Sequence, residues 1–368
     1  MDAKVLAAIF DVLPDPAMVV RGDGAAHRIV LANDAARTLY PLSGGEPLLP
    51  SIIRRPEVLD LVAASLAEGA SGEASWESGT AQDRRLQATS RPLPRGADGA
   101  RLALLIVRDE TDARRNERMR ADFLANASHE LKTPLASLTG FIETLRGHAR
   151  DDPGAREKFL GVMAAQAERM SQLVSDLMSL SRIELNEHIP PSGHVDLTGC
   201  AHDVADALSP LIRAARVKVE ITGVAAAPLI GDRHQVMQVT QNLIENAVKY
   251  SPKDGVVRVE ILSGLGAGQA EAVRDPGALS RALLSPDTVA SAQYVAIRVS
   301  DEGPGISREQ LPRLTERFYR APGQTSQTPG TGLGLAIVKH IVNRHRGGLF
   351  VESAAGRGAS FTAYFPQA

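Results

Sequence analysis

Four leucines at strict seven-residue intervals, Leu124, Leu131, Leu138 and Leu145, have Leu135 and Ile142 interleaved at four-then-three spacing. That pattern is the seam of a helix packed against another helix. Asp151, Asp152, Pro153 and Gly154 break it, and a second stripe follows through Met163, Met170, Leu173, Leu177 and Leu180. Residues 111–188 are therefore expected to form a helical hairpin. Each helix has more apolar stripe than a lone hairpin buries, so the expected assembly is a four-helix bundle with a second chain, a homodimer.

The seam also sets the phase of its neighbours. With Leu131 at d and Leu135 at a, His129 falls at b, Glu130 at c and Thr133 at f, all turned away from the packed side. A neutral imidazole nitrogen is a competent nucleophile near neutral pH, and an adjacent carboxylate can take the proton it loses. Thr133 lies one turn on and could orient a water. Pro134 has no N–H to give the carbonyl of Glu130, so the helix is expected to bend there. A lone exposed histidine means little, and the other eight (His27, His148, His188, His194, His202, His234, His340 and His345) read as ordinary surface or loop residues.

On the N-terminal side, residues 1–110 read as a small α+β module. Strands are expected at 17–20, 29–32, 84–90 and 102–109, with Asn33 or Asp34 capping a short helix and a helical middle at 57–68. After the breaker-rich linker at 190–193, residues 194–368 alternate strands and helices. Helices are expected at 197–213, 233–249 and 331–345, and strands at 217–222, 256–262, 294–300, 348–353 and 359–365. The fold class is thus multidomain, ending in an α/β sandwich. A Gly-, Ala- and Ser-rich stretch at 263–293 reads as a surface insertion with one short helix and no chemistry.

Three patches in the last domain suit a nucleotide. Asn242 and Asn246 stand four apart on one helical face and Lys249 continues it; amide oxygens suit a hydrated Mg²⁺ and an ammonium suits phosphates. Asp301, Gly303 and Gly305 follow a strand. The glycines permit a tight turn close to a planar base, and an ionised Asp301 can accept from the adenine amino group while rejecting guanine. Gly330, Thr331, Gly332, Leu333 and Gly334 open a helix, where backbone N–H groups face a phosphate. The polar segment at 321–329 before it reads as a lid.

The segment at 129–134 strongly resembles the H-E-x-x-T-P box of sensor histidine kinases with a dimerisation and histidine-phosphotransfer domain, and the later patches follow in that family's order. The resemblance covers residues 112–368. It implies that His129 accepts a phosphoryl group from ATP, that Glu130 is the base, and that Thr133 supports a phosphatase activity. It further implies that Asn246 ligates Mg²⁺, Lys249 contacts phosphate, Tyr250 packs near the base, Asp301 reads adenine and Arg320, after the aromatics Phe318 and Tyr319, reaches the phosphates. ATPases of the wider GHKL (Bergerat) superfamily often carry glutamate where this chain has Asn242, which favours phosphotransfer over hydrolysis. Segments at 179–186, 311–319 and 337–342 look similar to phosphate-regulon (PhoR-type) sensor kinases, which makes phosphate response the suggested pathway. Residues 13–20 and 108–111 resemble a PAS domain, either a relay module or a small-molecule sensor; without a cysteine there it cannot form a flavin adduct.

The expected partner is a separate response regulator whose receiver aspartate takes the phosphoryl group. A signalling scaffold without turnover, or an ATP-hydrolysing conformational protein of the same superfamily, are the alternatives. A formal charge of −2 argues against general nucleic-acid binding. One cysteine, Cys200, precludes an internal disulfide and fits a reducing compartment. No apolar run approaches the roughly 18 residues of a membrane helix. The expectation is a cytoplasmic chain that meets a membrane only through a partner.

Overall fold

A computed structural model describes residues 3–368 apart from 24–25, 41, 43–44, 79–83, 274, 276, 287–292 and 322–329. It divides into two compact units, Met1–Leu124 and Ala125–Ala368.

The first unit contains α1 (Ala3–Val12), β1 (Ala17–Asp23), β2 (Ala26–Ala32), α2 (Asp34–Leu39), α3 (Leu49–Ile52), α4 (Pro56–Glu68), β3 (Gly72–Ser78), β4 (Arg84–Leu93) and β5 (Arg101–Asp109). The strands form one antiparallel sheet in the order β2-β1-β5-β4-β3. Alternate residues Ala103, Leu105 and Val107 of β5 are buried, and Val58, Val62 and Leu66 of α4 join them in the core. Between α1 and α2, fully buried Asn33 accepts from the amides of Ala17 and Ala36, both at 2.9 Å, and donates to the carbonyls of Leu13 and Asp15. A buried amide is tolerated because its hydrogen bonds are made. The sequence pattern predicts α2 and α4 but not α1, α3 or β3.

Helix α5 (Thr111–Arg146) runs on through Pro134 as one element. In α6 (Pro153–Leu185), Asp152 caps the start by accepting from the amides of Gly154 and Ala155, and Pro153 occupies the first turn, where no N–H is needed. Phe141 stacks on Phe159 across the hairpin, ring centroids 5.3 Å apart. The leucine seam divides in two. Leu131, Leu138 and Leu145 are half-buried, whereas Leu124, Leu135 and Ile142 stay exposed.

Beyond the hairpin come β6 (His194–Asp196), α7 (Leu197–Ala207), α8 (Ser209–Ala215), β7 (Lys218–Gly223), β8 (Pro228–Ile230) and α9 (Arg233–Tyr250). Then follow β9 (Val256–Leu265), α10 (Ala267–Ala270), β10 (Leu279–Leu284), β11 (Tyr294–Ser300), a 3₁₀ turn (Leu311–Arg313), α11 (Gly334–Arg344), β12 (Gly348–Ser353) and β13 (Ala359–Pro366). The main sheet has the order β10-β12-β13-β11-β9-β7, with only β7 and β9 parallel. β11 sits centrally, buried from Tyr294 to Val299. Burial of Val295, Ile297 and Val299 contributes about 1.5–3 kcal/mol each. Helices α7, α9 and α11 pack side by side against this sheet.

Three expectations are corrected. The helix expected at 197–213 is two, because Pro210 falls in the first turn of a new helix and cannot continue the old one. The insertion carries, besides α10, a strand: β10 pairs antiparallel with β12 from Leu279↔Ser353 to Leu284↔Leu349. The last helix starts at Gly334 rather than Thr331, since Gly330 and Gly332 have φ of +156° and +72°. Among the described residues no helix is long and apolar enough to cross a membrane.

Candidate active site

Helix α9 is set by Asp232, whose carboxylate accepts from the amides of His234 and Gln235. The helix buries Val236, Val239, Leu243, Ile244, Ala247 and Val248, which leaves Asn242, Asn246 and Lys249 half-buried on its other face. The amide of Asn246 makes no hydrogen bond with another described residue, so its oxygen is available to a cation. One amide oxygen completed by phosphates and waters is a donor set that fits Mg²⁺.

The glycine-rich turns close on that face. A Cβ built on Gly330 would lie 2.6 Å from Lys249 Nζ, and one on Gly334 would lie 2.9 Å from Asn242 Oδ1. A Cβ on Gly303 would meet the Tyr250 carbonyl oxygen at 2.6 Å. Gly305 takes φ +78° with its Cβ position 2.3 Å from the Ala354 carbonyl oxygen, so neither the conformation nor the space admits a side chain. The patches on α9, after β11 and before α11, separated in sequence, are thus brought to one place.

Asp301 anchors the turn after β11. Its Oδ1 accepts from the amides of Gly303 at 2.8 Å and Ala359 at 3.3 Å, while Oδ2 takes no hydrogen bond from a described residue. Burial raises the Asp301 carboxyl above the usual carboxylate range; the two backbone bonds offset this only partly. Before the glycine box, Phe318 adopts φ +63° and donates its N–H to the Gly332 carbonyl at 2.9 Å. Arg313 lies over the Tyr319 ring, 4.6 Å from its centroid, and Arg320 is half-buried. The expected lid at 321–329 lies almost wholly outside the described residues.

On α5, His129 is exposed, and its ring makes no hydrogen bond with a described residue. Thr133 is exposed too, and its hydroxyl donates back to the His129 carbonyl at 3.2 Å. Glu130, expected to turn away from the packed side, instead faces α6, because Arg169 reaches across the hairpin to pair with it at 3.1 Å. The hairpin meets the glycine box elsewhere, through the Thr331 hydroxyl, which donates to Asp176 of α6 at 2.7 Å.

Sequence reasoning passed over several of these residues. Asp176 is buried in register with Leu173, Leu180 and Ile183, and a carboxylate interrupting an apolar stripe was the available signal. Three histidines depart from the surface assignment, the first being His27, which is half-buried on β2. His340 contacts Glu187 at 3.2 Å, and His345 is only 4% exposed. His345 accepts from the Asp232 N–H at Nε2 and donates from Nδ1 to the Ile341 carbonyl, which requires the neutral ring.

Residues 119–186 match the family described as His Kinase A (phospho-acceptor) domain, and residues 231–368 match the family described as Histidine kinase-, DNA gyrase B-, and HSP90-like ATPase. The chain is 34% identical over 271 residues to the phosphate regulon sensor protein PhoR of Pseudomonas aeruginosa, covering 73% of this chain and 55% of that one. It is 30% identical over 271 residues to the sensor-like histidine kinase SenX3 of Mycolicibacterium smegmatis, covering 73% and 63% respectively. With the sensor protein SphS of Synechococcus elongatus it shares 30% identity over 344 residues, 88% of this chain and 75% of that one. The chain belongs to the sensor histidine kinases. It spans 55% and 63% of the lengths of PhoR and SenX3.

Proposed function

We propose that this chain is an ATP-dependent protein-histidine kinase that phosphorylates His129. The observation that carries the reading is the convergence of Lys249 with Gly330, of Asn242 with Gly334, and of Tyr250 and Asp301 with Gly303, in a chain whose exposed His129 lies on a helix. Asp301 Oδ2 accepts from the adenine amino group. Lys249 and the N–H groups at the start of α11 hold the phosphates, with Gly330, Thr331, Gly332, Leu333 and Gly334 lining them and Arg320 in reach. Asn246 holds Mg²⁺, which when bound neutralises phosphate charge.

A ring nitrogen of His129 attacks the γ-phosphorus. The N–P bond forms, the bond to the β–γ bridging oxygen breaks, ADP leaves, and the ring proton passes to Glu130. Arg169 holds one oxygen of Glu130, Oε2, leaving the other to accept. The phosphoryl group then moves to an aspartate of a response regulator, and Thr133 orients water for the reverse, dephosphorylating activity.

The exposed Leu124, Leu135 and Ile142 support a homodimeric four-helix bundle. We read residues 1–110 as a PAS-like sensing or relay module, 111–188 as the phosphotransfer hairpin and 194–368 as the ATP-binding domain, in a cytoplasmic setting. The PhoR relative supports phosphate response as the pathway. The test is incubation with γ-labelled ATP and Mg²⁺: an acid-labile, base-stable label is expected on the wild type and none on His129→Ala. Equal labelling of the variant overturns the site.

A further inference from the structure

Helix α6 reaches into the glycine box with an acid. Asp176 is 8% exposed, and its carboxylate accepts from the Gln172 amide at 2.8 Å and the Thr331 hydroxyl at 2.7 Å. It has no cationic partner among the described residues. Burial raises its carboxyl above the usual range, and the two hydrogen bonds offset this in part. A buried carboxylate without a counter-charge costs stability, so packing alone does not account for it.

Thr331 is engaged twice. Its hydroxyl oxygen accepts from the Leu333 N–H at 3.3 Å while its proton goes to Asp176. Both the hydroxyl and that amide, at the start of α11, are donors of the kind a phosphate takes.

Beside it lies a polar clamp, together with the Ser179 hydroxyl of α6, which donates to Gln238 of α9 at 3.0 Å. Glu184 of α6 pairs with Arg317, and Glu187 contacts His340 at 3.2 Å and accepts from Asn343 at 2.6 Å. Arg344 donates to the Ile189 carbonyl just beyond α6. Acids lie on the hairpin side and cations and amides on the other. None of these outer residues belongs to the nucleotide patches. Among the described residues, Thr331 is the one that belongs to both sides.

We propose that Asp176 is a positioning residue that holds the glycine box in a nucleotide-poor arrangement, so that docking on α6 and binding of the nucleotide's phosphates compete for the Thr331 hydroxyl and the space beside it. This rests on the reading of residues 330–334 as the phosphate loop. One hydroxyl proton serves one acceptor at a time, and the carboxylate places a like charge beside incoming phosphates. By linkage, whatever docking takes from ATP affinity, ATP takes from docking.

The test measures the affinity of the full chain for ATP and for adenosine by calorimetry in wild type, Asp176→Asn, Glu187→Gln and Gly332→Ala. Asp176→Asn keeps size and removes charge, and it is expected to bind ATP about fivefold tighter or more, with adenosine unchanged. Glu187→Gln, remote from the box, is expected to tighten ATP in the same direction by loosening the clamp. Wild-type or weaker ATP affinity in Asp176→Asn, or equal tightening for adenosine, overturns the proposal. Gly332→Ala is expected to lose ATP. If it binds like wild type, the phosphate-loop reading falls and takes this proposal with it, whereas failure of Asp176→Asn alone leaves that reading standing.

Discussion

Glu130 and Arg169 stand 3.1 Å apart across the hairpin, their side chains 33% and 32% exposed. The pair fastens the residue next to His129 to the second helix. A partly exposed ion pair contributes about 0–1 kcal/mol, so its consequence is orientation rather than stability.

Removing the pair therefore separates rate from stability. Glu130→Gln is expected to slow phosphohistidine formation by about 10²-fold, the contribution of a positioned base. Arg169→Met should slow it less while changing stability by under about 1 kcal/mol. Initial labelling rates at saturating ATP and urea melts measure the two. An Arg169→Met protein with the wild-type rate would show that the pair orients nothing.

Asp301 makes stability and ligand affinity move in opposite directions with pH. Its folded carboxyl sits above the usual range, so between the ordinary value of about 4 and that raised value the folded state holds more protons than the unfolded one. The Asp301 contribution to ligand-free stability therefore increases as pH falls through that window. Adenine needs the ionised form, so ATP affinity declines over the same window, at higher pH than an ordinary aspartate would set. Asp301→Asn is expected to be at least as stable at neutral pH yet to bind ATP poorly, checked by melting and calorimetry.

His345 works with the opposite sign. Burial lowers its pKa, so as pH falls below about 6.5 the unfolded chain protonates first. Its stabilising contribution is complete above that value and is lost as pH drops toward the lowered one. His345→Gln should destabilise the fold by about 1–3 kcal/mol at neutral pH through its two lost bonds and flatten the acid limb. Urea unfolding from pH 7.5 down to about 5 follows both.

The exposed half of the leucine seam predicts the assembly. Leu135 and Ile142 are 54% and 44% exposed, so a glutamate at either costs the single chain little. Leu135→Glu with Ile142→Glu is expected to shift the protein from dimer to monomer in light scattering, with helical content unchanged. A double variant that stays dimeric would place the interface elsewhere.

What the sequence determined by itself was local. Asp152 with Pro153 starts α6, and the heptads give both hairpin helices, because caps and periodicity act within one or two turns. β11 emerged at its observed bounds, since an apolar run broken by a single Arg298 needs no partner to be recognised. The order of the nucleotide patches and the His129 box was legible for the same reason, being carried by residue types at short spacing. Strand β10 was not, because its Leu and Ala residues lie in a Gly-rich stretch and only the ladder to β12 makes it a strand. Nor was the bond from Thr331 to Asp176, 155 positions apart, for which neither residue's neighbours hold a signal. The tertiary structure decided which apolar residues of the hairpin are covered within one chain and which acid of α6 meets the glycine box, because both depend on chain reversals that bring distant surfaces together.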